Sequence, residues 1–310
     1  MSSTNPYRGV VPILATPFHQ DESLDLTSLD RMVRFYRELG VDGFTVLGVL
    51  GEADRLTDAE RVAALTTVVA AADGRPVIAG VSRPGTAATI TAAKQAAQLG
   101  AQAVMVAPPS VPGITEAALL AFYQRVGAQS PLPIVLQDHP MSTGVHVTVE
   151  FLLRVATEVP NIVCIKAEAT PSPSRIGRLR PALDQLRPVT LLTGLGALYG
   201  APDLLMGSDG FNTGFAFPEV LRAFVDLAAA KDEERLLRCY ARYLPLMVFE
   251  QQPGVAIRKE ILRRRGLLDG PTVRHPGGNL DATANELLTR LLAHTFPGQD
   301  LAKAVRVETD

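Results

Sequence analysis

Eight short apolar runs recur along the chain, at residues 10–15, 43–47, 76–81, 103–107, 133–137, 162–166, 190–193 and 210–212, each followed by a longer stretch with helical periodicity. Runs this short and this rich in β-branched residues read as buried strands, and their alternation with helices reads as parallel βαβ units. Start signals mark the helices, such as Thr57 with Glu60 as a capping box and Thr115 ahead of residues 116–126. Eight units within residues 1–230 predict a (β/α)8 barrel, a fold of about 250 residues. A doubly wound sheet would carry a glycine-rich dinucleotide turn after its first strand, and here that place reads Ala15-Thr16-Pro17-Phe18.

Beyond the eighth unit the pattern is purely helical. Residues 232–249, 254–265 and 281–294 predict a three-helix C-terminal region over 231–296, broken at Gln251-Gln252-Pro253 and at the Pro/Gly-rich stretch 269–279. Such helices cannot bury their apolar faces alone, so they should pack on the barrel or on a partner subunit. Residues 297–310 are expected to form a loosely held tail.

A composition of 47% hydrophobic and 20% charged residues is that of a globular enzyme, and a net charge of -2 gives no electrostatic reason to expect nucleic acid or an anionic membrane. Cys164 and Cys239 make neither a disulfide framework nor a metal spacing and read as buried thiols. The N-terminus lacks a charged-then-apolar leader, and no apolar run approaches membrane-spanning length, so a cytoplasmic protein is expected.

Of the five lysines, only Lys166 ends an apolar run, Ile162-Val163-Cys164-Ile165-Lys166. A buried strand does not end in an ammonium without cause. Period-two alternation brings Glu168 to the face that Lys166 uses if the extended path continues. A desolvated lysine beside a carboxylate is the makings of a Schiff-base site, with a plain structural ion pair as the alternative.

In a barrel the site lies where the strands end. After strand one stands Thr16; after strand two, Gly48-Val49-Leu50-Gly51-Glu52, whose glycines let successive N–H groups turn into the mouth as an anion nest. Strand five ends in Gln137-Asp138-His139-Pro140, strand seven in Gly194 with Tyr199 beyond it, and strand eight in Asn212. His139 without a second imidazole makes a poor metal site, and no metal is expected.

Together Thr16-Pro17-Phe18, Gly48-x-x-Gly51-Glu52, Pro140 with Thr143-Gly144, and Ile165-Lys166 resemble the dihydrodipicolinate synthase and N-acetylneuraminate lyase family, in order and in spacing. The likeness extends to Gly254-Val255-Ala256-Ile257-Arg258-Lys259 in the appendage. It implies a (β/α)8 barrel, usually a homotetramer, with Lys166 as the covalent Schiff-base residue, no separate cofactor, and residues 48–51 as the carboxylate-binding loop. Where most members carry a proton-shuttling tyrosine this chain has Gln137, which cannot exchange a proton at useful pH. The synthase's loop threonine, its borrowed tyrosine and its dicarboxylate-reading arginine correspond to Val49, Ser110 and Ser142. Gln137-Asp138, Lys166-x-Glu168, Leu244-Pro245-Leu246 and Arg274-His275-Pro276 are similar to the branch containing L-2-keto-3-deoxyarabonate dehydratase, although the loop after strand two follows the broader family.

The expectation is therefore a lyase acting on a small 2-oxo acid, foremost a 2-keto-3-deoxy sugar acid dehydratase. Lys166, Glu168 and Gln137 are its candidate catalytic residues; Thr16, Gly48, Val49, Leu50, Gly51, Asp138, Gly194 and Asn212 are its candidate substrate contacts. Burial would favour the neutral amine that Lys166 needs, while Glu168 would favour its ammonium. A retro-aldol enzyme using the same Schiff base and a non-catalytic 2-oxo-acid-binding protein are the alternatives; a true dihydrodipicolinate synthase is not expected.

Overall fold

The computed structural model describes residues 5–251 and 254–309. Eight parallel strands form one sheet: β1 Gly9–Val10, β2 Phe44–Val46, β3 Val77–Gly80, β4 Ala103–Val106, β5 Ile134–Asp138, β6 Ile162–Ala167, β7 Thr190–Thr193 and β8 Gly210–Phe211. Each strand lies beside its sequence neighbours and β1 pairs with β8, as successive right-handed crossovers require. β1 is shorter than the apolar run at 10–15 because Pro12 has no N–H to give the ladder. The ring still closes there. Ile13 bridges Thr45, Ile13 N–H donates to the Thr213 carbonyl at 2.9 Å, and Leu14 N–H donates to the Thr45 carbonyl at 2.9 Å.

Around the strands run α1 Leu26–Glu38, α2 Asp58–Ala72, α3 Thr86–Gln98, α4 Glu116–Gln129, α5 Pro140–Thr143, α6 Val149–Glu158, α7 Ser172–Leu186, α8 Gly200–Leu205 and α9 Pro218–Ala229. Side-chain caps fix several starts, each satisfying a backbone N–H that the helix cannot. Thr57 accepts from Glu60 N–H at 3.3 Å while the Glu60 carboxylate accepts from Thr57 N–H at 2.8 Å, the reciprocal box expected before α2. Thr115 caps α4 and Thr148 caps α6 in the simpler way.

Two apolar bodies result. Strand-to-helix packing makes the large one, and the barrel interior makes the smaller one from Tyr7, Val11, Ile78, Ala103, Met105, Val135, Cys164 and Leu192. Tyr7 donates its hydroxyl to the Gln102 carbonyl at 2.8 Å. This dry interior is the floor beneath the strand ends. Cys164 lies within it, and burial pushes its thiol up to about 12.

The fold is a (β/α)8 barrel with three C-terminal helices, α10 Glu233–Glu250, α11 Val255–Arg264 and α12 Ala282–Thr295. α10 packs against α8, α9 and α12. Of the break expected at Gln251-Gln252-Pro253, the last two residues lie outside the described ones. Residues 297–309, expected to be loosely held, lie along the helices instead. Arg265 donates to the Leu301 carbonyl at 3.2 Å, Val305 N–H to Glu219 at 3.2 Å and Glu308 N–H to the Tyr243 hydroxyl at 2.9 Å. Among the described residues no helix is long and apolar enough to cross a membrane.

Candidate active site

The pairing of β5 with β6 sets Gln137 opposite Lys166, and that of β6 with β7 sets Lys166 opposite Leu192. Two residues earlier on β5 and β6 stand Val135 and Cys164 of the dry interior, so Gln137 and Lys166 rise from it side by side. Lys166 is 1% exposed, Gln137 4% and Glu168 5%. Lys166 Nζ lies 2.8 Å from Glu168 Oε2, and the Gln137 side-chain amide donates to that same oxygen at 2.8 Å. The extended path past the end of β6 thus returns Glu168 to the lysine, as alternation predicts.

Burial acts to raise the Glu168 carboxyl. It is outweighed by the charges of Lys166 and His139 and by hydrogen bonds from Lys166 and Gln137, which leave Glu168 below the ordinary carboxylate value. The group is a dehydrated carboxylate that stays ionised. Its other oxygen, Oε1, accepts the Leu195 N–H at 3.2 Å. That donor comes from an unusual turn: Leu195, Gly196 and Ala197 all have positive φ, at 48°, 63° and 65°. For the leucine and the alanine this is a sparsely populated conformation of the kind found where a site is held under strain. Gly194 makes room beside it, since a Cβ there would sit 2.2 Å from Glu168 Cγ.

The β2 loop forms the opposite wall. Leu47 has φ 61°, after which Val49–Gly51 makes one 3-10 turn with Gly48 as its extended first residue. The first N–H groups of such a turn have no partner within it, so those of Val49 and Leu50 are available to a ligand. Thr16 holds the loop from below by donating its hydroxyl to the Gly51 carbonyl at 2.6 Å. Glu52, buried and in the left-handed region, ties the loop outward: it pairs with Lys259 and accepts from Arg55 at 2.7 Å and from Arg274 N–H at 3.0 Å. Burial, opposed by Glu52, lowers Lys259 to about 8. Between the ends of β2 and β5 opens a cavity of about 330 Å³ that Gly48, Val49, Ser110, Gln137, Ser142 and Thr143 help to line.

This arrangement has close relatives. The model of the dihydrodipicolinate synthetase family matches residues 6–295. The chain belongs to that family. It is 33% identical over 294 residues to L-2-keto-3-deoxyarabonate dehydratase of Azospirillum brasilense, covering 89% of this chain and 90% of that one. It is 32% identical over 298 residues to 4-hydroxy-tetrahydrodipicolinate synthase of Chlorobium luteolum, covering 94% and 98%. Dihydrodipicolinate synthase from Rhodopseudomonas palustris superimposes with a TM-score of 0.89 at 36% identity, over 94% of this chain and 98% of that one. Enzymes of the dihydrodipicolinate synthetase family are lyases that work through a lysine Schiff base without a metal cofactor.

Not every residue singled out from sequence meets the others at this family's strand ends. Asp138, next to Gln137 on β5, points to the opposite face, where it pairs with Arg175 of α7 at 2.8 Å. Burial, only partly offset by Arg175, raises its carboxyl, and its free oxygen Oδ1 and the Tyr123 hydroxyl are both buried without a hydrogen-bond partner. Asn212 lies inside the barrel, donating to Thr45 Oγ1 at 2.8 Å. The His139 ring is lowered by burial and its Nδ1 has no partner, while Ser142 and Thr143 bond back to the His139 carbonyl. Tyr199 stands just before α8 without a side-chain cap bond, its carbonyl accepting the Asp203 N–H at 2.8 Å. Among the described residues no group of three or more His, Cys, Asp or Glu is gathered for a metal ion.

Sequence reasoning missed the Leu195 N–H, Arg175 and the Glu52–Lys259 pair. Glu52 and Lys259 each stood in a quoted motif, Gly48-x-x-Gly51-Glu52 and residues 254–259, but neither motif announced that the two pair.

Proposed function

We infer that the chain is a Schiff-base lyase for a 2-oxo acid, and specifically a dehydratase of 2-keto-3-deoxy sugar acids. One observation carries the reading: a buried lysine and carboxylate paired at 2.8 Å, with an amide from Gln137 in the place where a proton-shuttling phenol would stand. Proton transfer must then run through Glu168.

The steps balance on that one carboxylate. Glu168 takes a proton from the Lys166 ammonium, and the neutral amine adds to carbon 2 of the substrate. Glu168 returns the proton to the carbinolamine oxygen, which leaves as water and gives the iminium. Glu168, ionised again, removes the proton at carbon 3, and the electron pair flows into the iminium as an enamine. The same proton then goes to the hydroxyl on carbon 4, which departs as water as the enamine electrons form the carbon 3–carbon 4 double bond. Hydrolysis of the conjugated iminium frees Lys166. Gln137 and Leu195 N–H hold Glu168 in place throughout, and the N–H groups of Val49 and Leu50 hold the substrate carboxylate.

Retro-aldol cleavage would begin from the same iminium but needs a base at the carbon 4 hydroxyl. Glu168 reaches that hydroxyl in the dehydratase sequence as well, so the preference for loss of water rests on the similarity to L-2-keto-3-deoxyarabonate dehydratase. The synthase reaction in the names of several relatives is disfavoured, because Val49 and Gln137 lack the hydroxyls of its relay and Ser110 offers a short alcohol in place of a phenol.

The test is borohydride reduction with pyruvate and with a panel of 2-keto-3-deoxy sugar acids, read by intact mass, together with product analysis. One adduct on Lys166 and a product short of one water are expected. Release of pyruvate and an aldehyde would make the enzyme an aldolase, and absence of any adduct would remove the Schiff base. Robust turnover with pyruvate and aspartate semialdehyde would show that another group replaces the relay.

A further inference from the structure

The cavity beside Gln137 continues to the ends of β2 and β3, where Arg61 and Arg83 are among the residues that line it. Strand order places only β4 between β3 and β5. At about 4.8 Å per strand the ends of β3 and β5 are about 10 Å apart, a gap that a sugar-acid chain and an arginine side chain together span.

These two cations are poorly neutralised. Arg61 Nε–H donates to the Leu56 carbonyl at 3.2 Å, and Arg83 donates to the carbonyl of its neighbour Ser82 at 2.9 Å. The carboxylate they share, Asp58, stays 3.9 Å from Arg61 and 3.8 Å from Arg83, and its side chain is 90% exposed. A solvated carboxylate at that range attracts weakly. Asp54, on the same rim, is exposed too. Burial first, and then the charge of Arg83, lower the Arg61 guanidinium against the pull of Asp58 and Asp54. Two like charges, partly dehydrated, thus share one cavity whose only other charged lining residue among the described ones is the exposed Asp54, the remaining polar ones being Gln137 and the hydroxyl residues Ser82, Ser110, Ser142 and Thr143. An oxyanion would supply what they lack, since a guanidinium fork matches a carboxylate or phosphate.

We propose that Arg61 and Arg83 form an oxyanion subsite, one strand removed from Gln137, that takes a carboxylate or phosphate group. The group is either the far end of the substrate held on Lys166 or a separate small anion. The substrate-linked form rests on the Schiff-base reading above; the subsite itself does not.

Calorimetric titration of the whole protein with malonate and with inorganic phosphate tests the subsite directly. Saturable binding is expected, weakened about tenfold or more in Arg83→Gln and in Arg61→Gln, the cost of one charge-assisted hydrogen bond. Arg83→Gln carries the test if Arg61→Gln does not fold. No saturable binding in the wild type, or variants that bind like it, overturns the proposal. Borohydride trapping then separates the two sources by the ratio of half-saturating 2-oxoglutarate to half-saturating pyruvate. A ratio that rises about tenfold in Arg83→Gln assigns the subsite to the substrate's far end. A ratio that does not move, beside lost malonate or phosphate binding, assigns it to a separate anion. If neither acid is trapped by the wild type, the Schiff-base reading has failed while the calorimetry still decides the subsite.

Discussion

Gly194 has no side chain where Glu168 has its carboxylate: a Cβ on Gly194 would lie 2.2 Å from Glu168 Cγ and 2.4 Å from Oε1. Gly194→Ala should therefore push Glu168 off Lys166 without touching the lysine. Turnover is expected to fall by about a hundredfold, the scale of losing one positioned proton transfer, with borohydride trapping of pyruvate slowed but retained. A variant that turns over normally would show that the loop moves aside at little cost.

Glu168→Gln separates the base from the shape. Iminium trapping should persist but form more slowly, since water must then carry the proton from the Lys166 ammonium, while turnover falls by about two to four orders of magnitude. With substrate deuterated at carbon 3, wash-out of label into water should fall in step. If label is lost at the wild-type rate, the base is elsewhere and Glu168 is only the partner of Lys166.

Removing the lysine has a cost in stability as well as in chemistry. Lys166→Ala should abolish the adduct and, by leaving a 5%-exposed carboxylate without its cation, destabilise the fold by about 3–5 kcal/mol at neutral pH. Urea denaturation measures this. Lys166→Met combined with Glu168→Gln should recover most of the loss, because no buried charge then remains; equal loss in both would assign the cost to packing.

Two buried carboxyls give the pH dependence of stability opposite signs. Asp203 is raised from 3.8 to about 7 by burial, against hydrogen bonds from Ser172 and Thr193. Between those values the unfolded chain is ionised at this site and the native one is protonated, so stability should fall with rising pH, by up to about 1.4 kcal/mol per unit. Glu168, held below 4.5, contributes stability that is present above that value and lost as pH falls through its lowered one. Asp203→Asn should flatten the decline between pH 4 and 7; denaturation curves of unchanged slope there would place the titration elsewhere.

The strands and the Lys166–Glu168 pair were legible because both follow from local periodicity: apolar runs of fixed length, and two residues of one face. Pro12 was a visible reason for β1 to stop early. So was the period of two that turns Asp138 away from Gln137, although three polar residues in a row at a strand end invited a shared role. What local pattern does not carry is pairing across the chain. Arg175 finds Asp138 from 37 residues away, and no spacing rule selects it among twenty-five arginines. The left-handed turn at Leu195 was hidden because neither leucine nor alanine advertises positive φ. The last residues read as a loose tail from their terminal position, yet Val305 is buried and Arg265 donates to the Leu301 carbonyl.

The anchoring of Glu52 sets an order of events during synthesis. The β2 loop emerges from the ribosome early, but Arg274, one of its fastenings, comes 222 residues later, and the loop's buried cation Lys259 only slightly before it. Synthesis runs from the N-terminus, so a contact forms only after the later of its two residues has emerged. A nascent barrel can thus close its ring well before it owns a finished mouth, and the polypeptide is nearly complete before the wall facing Lys166 has its final shape.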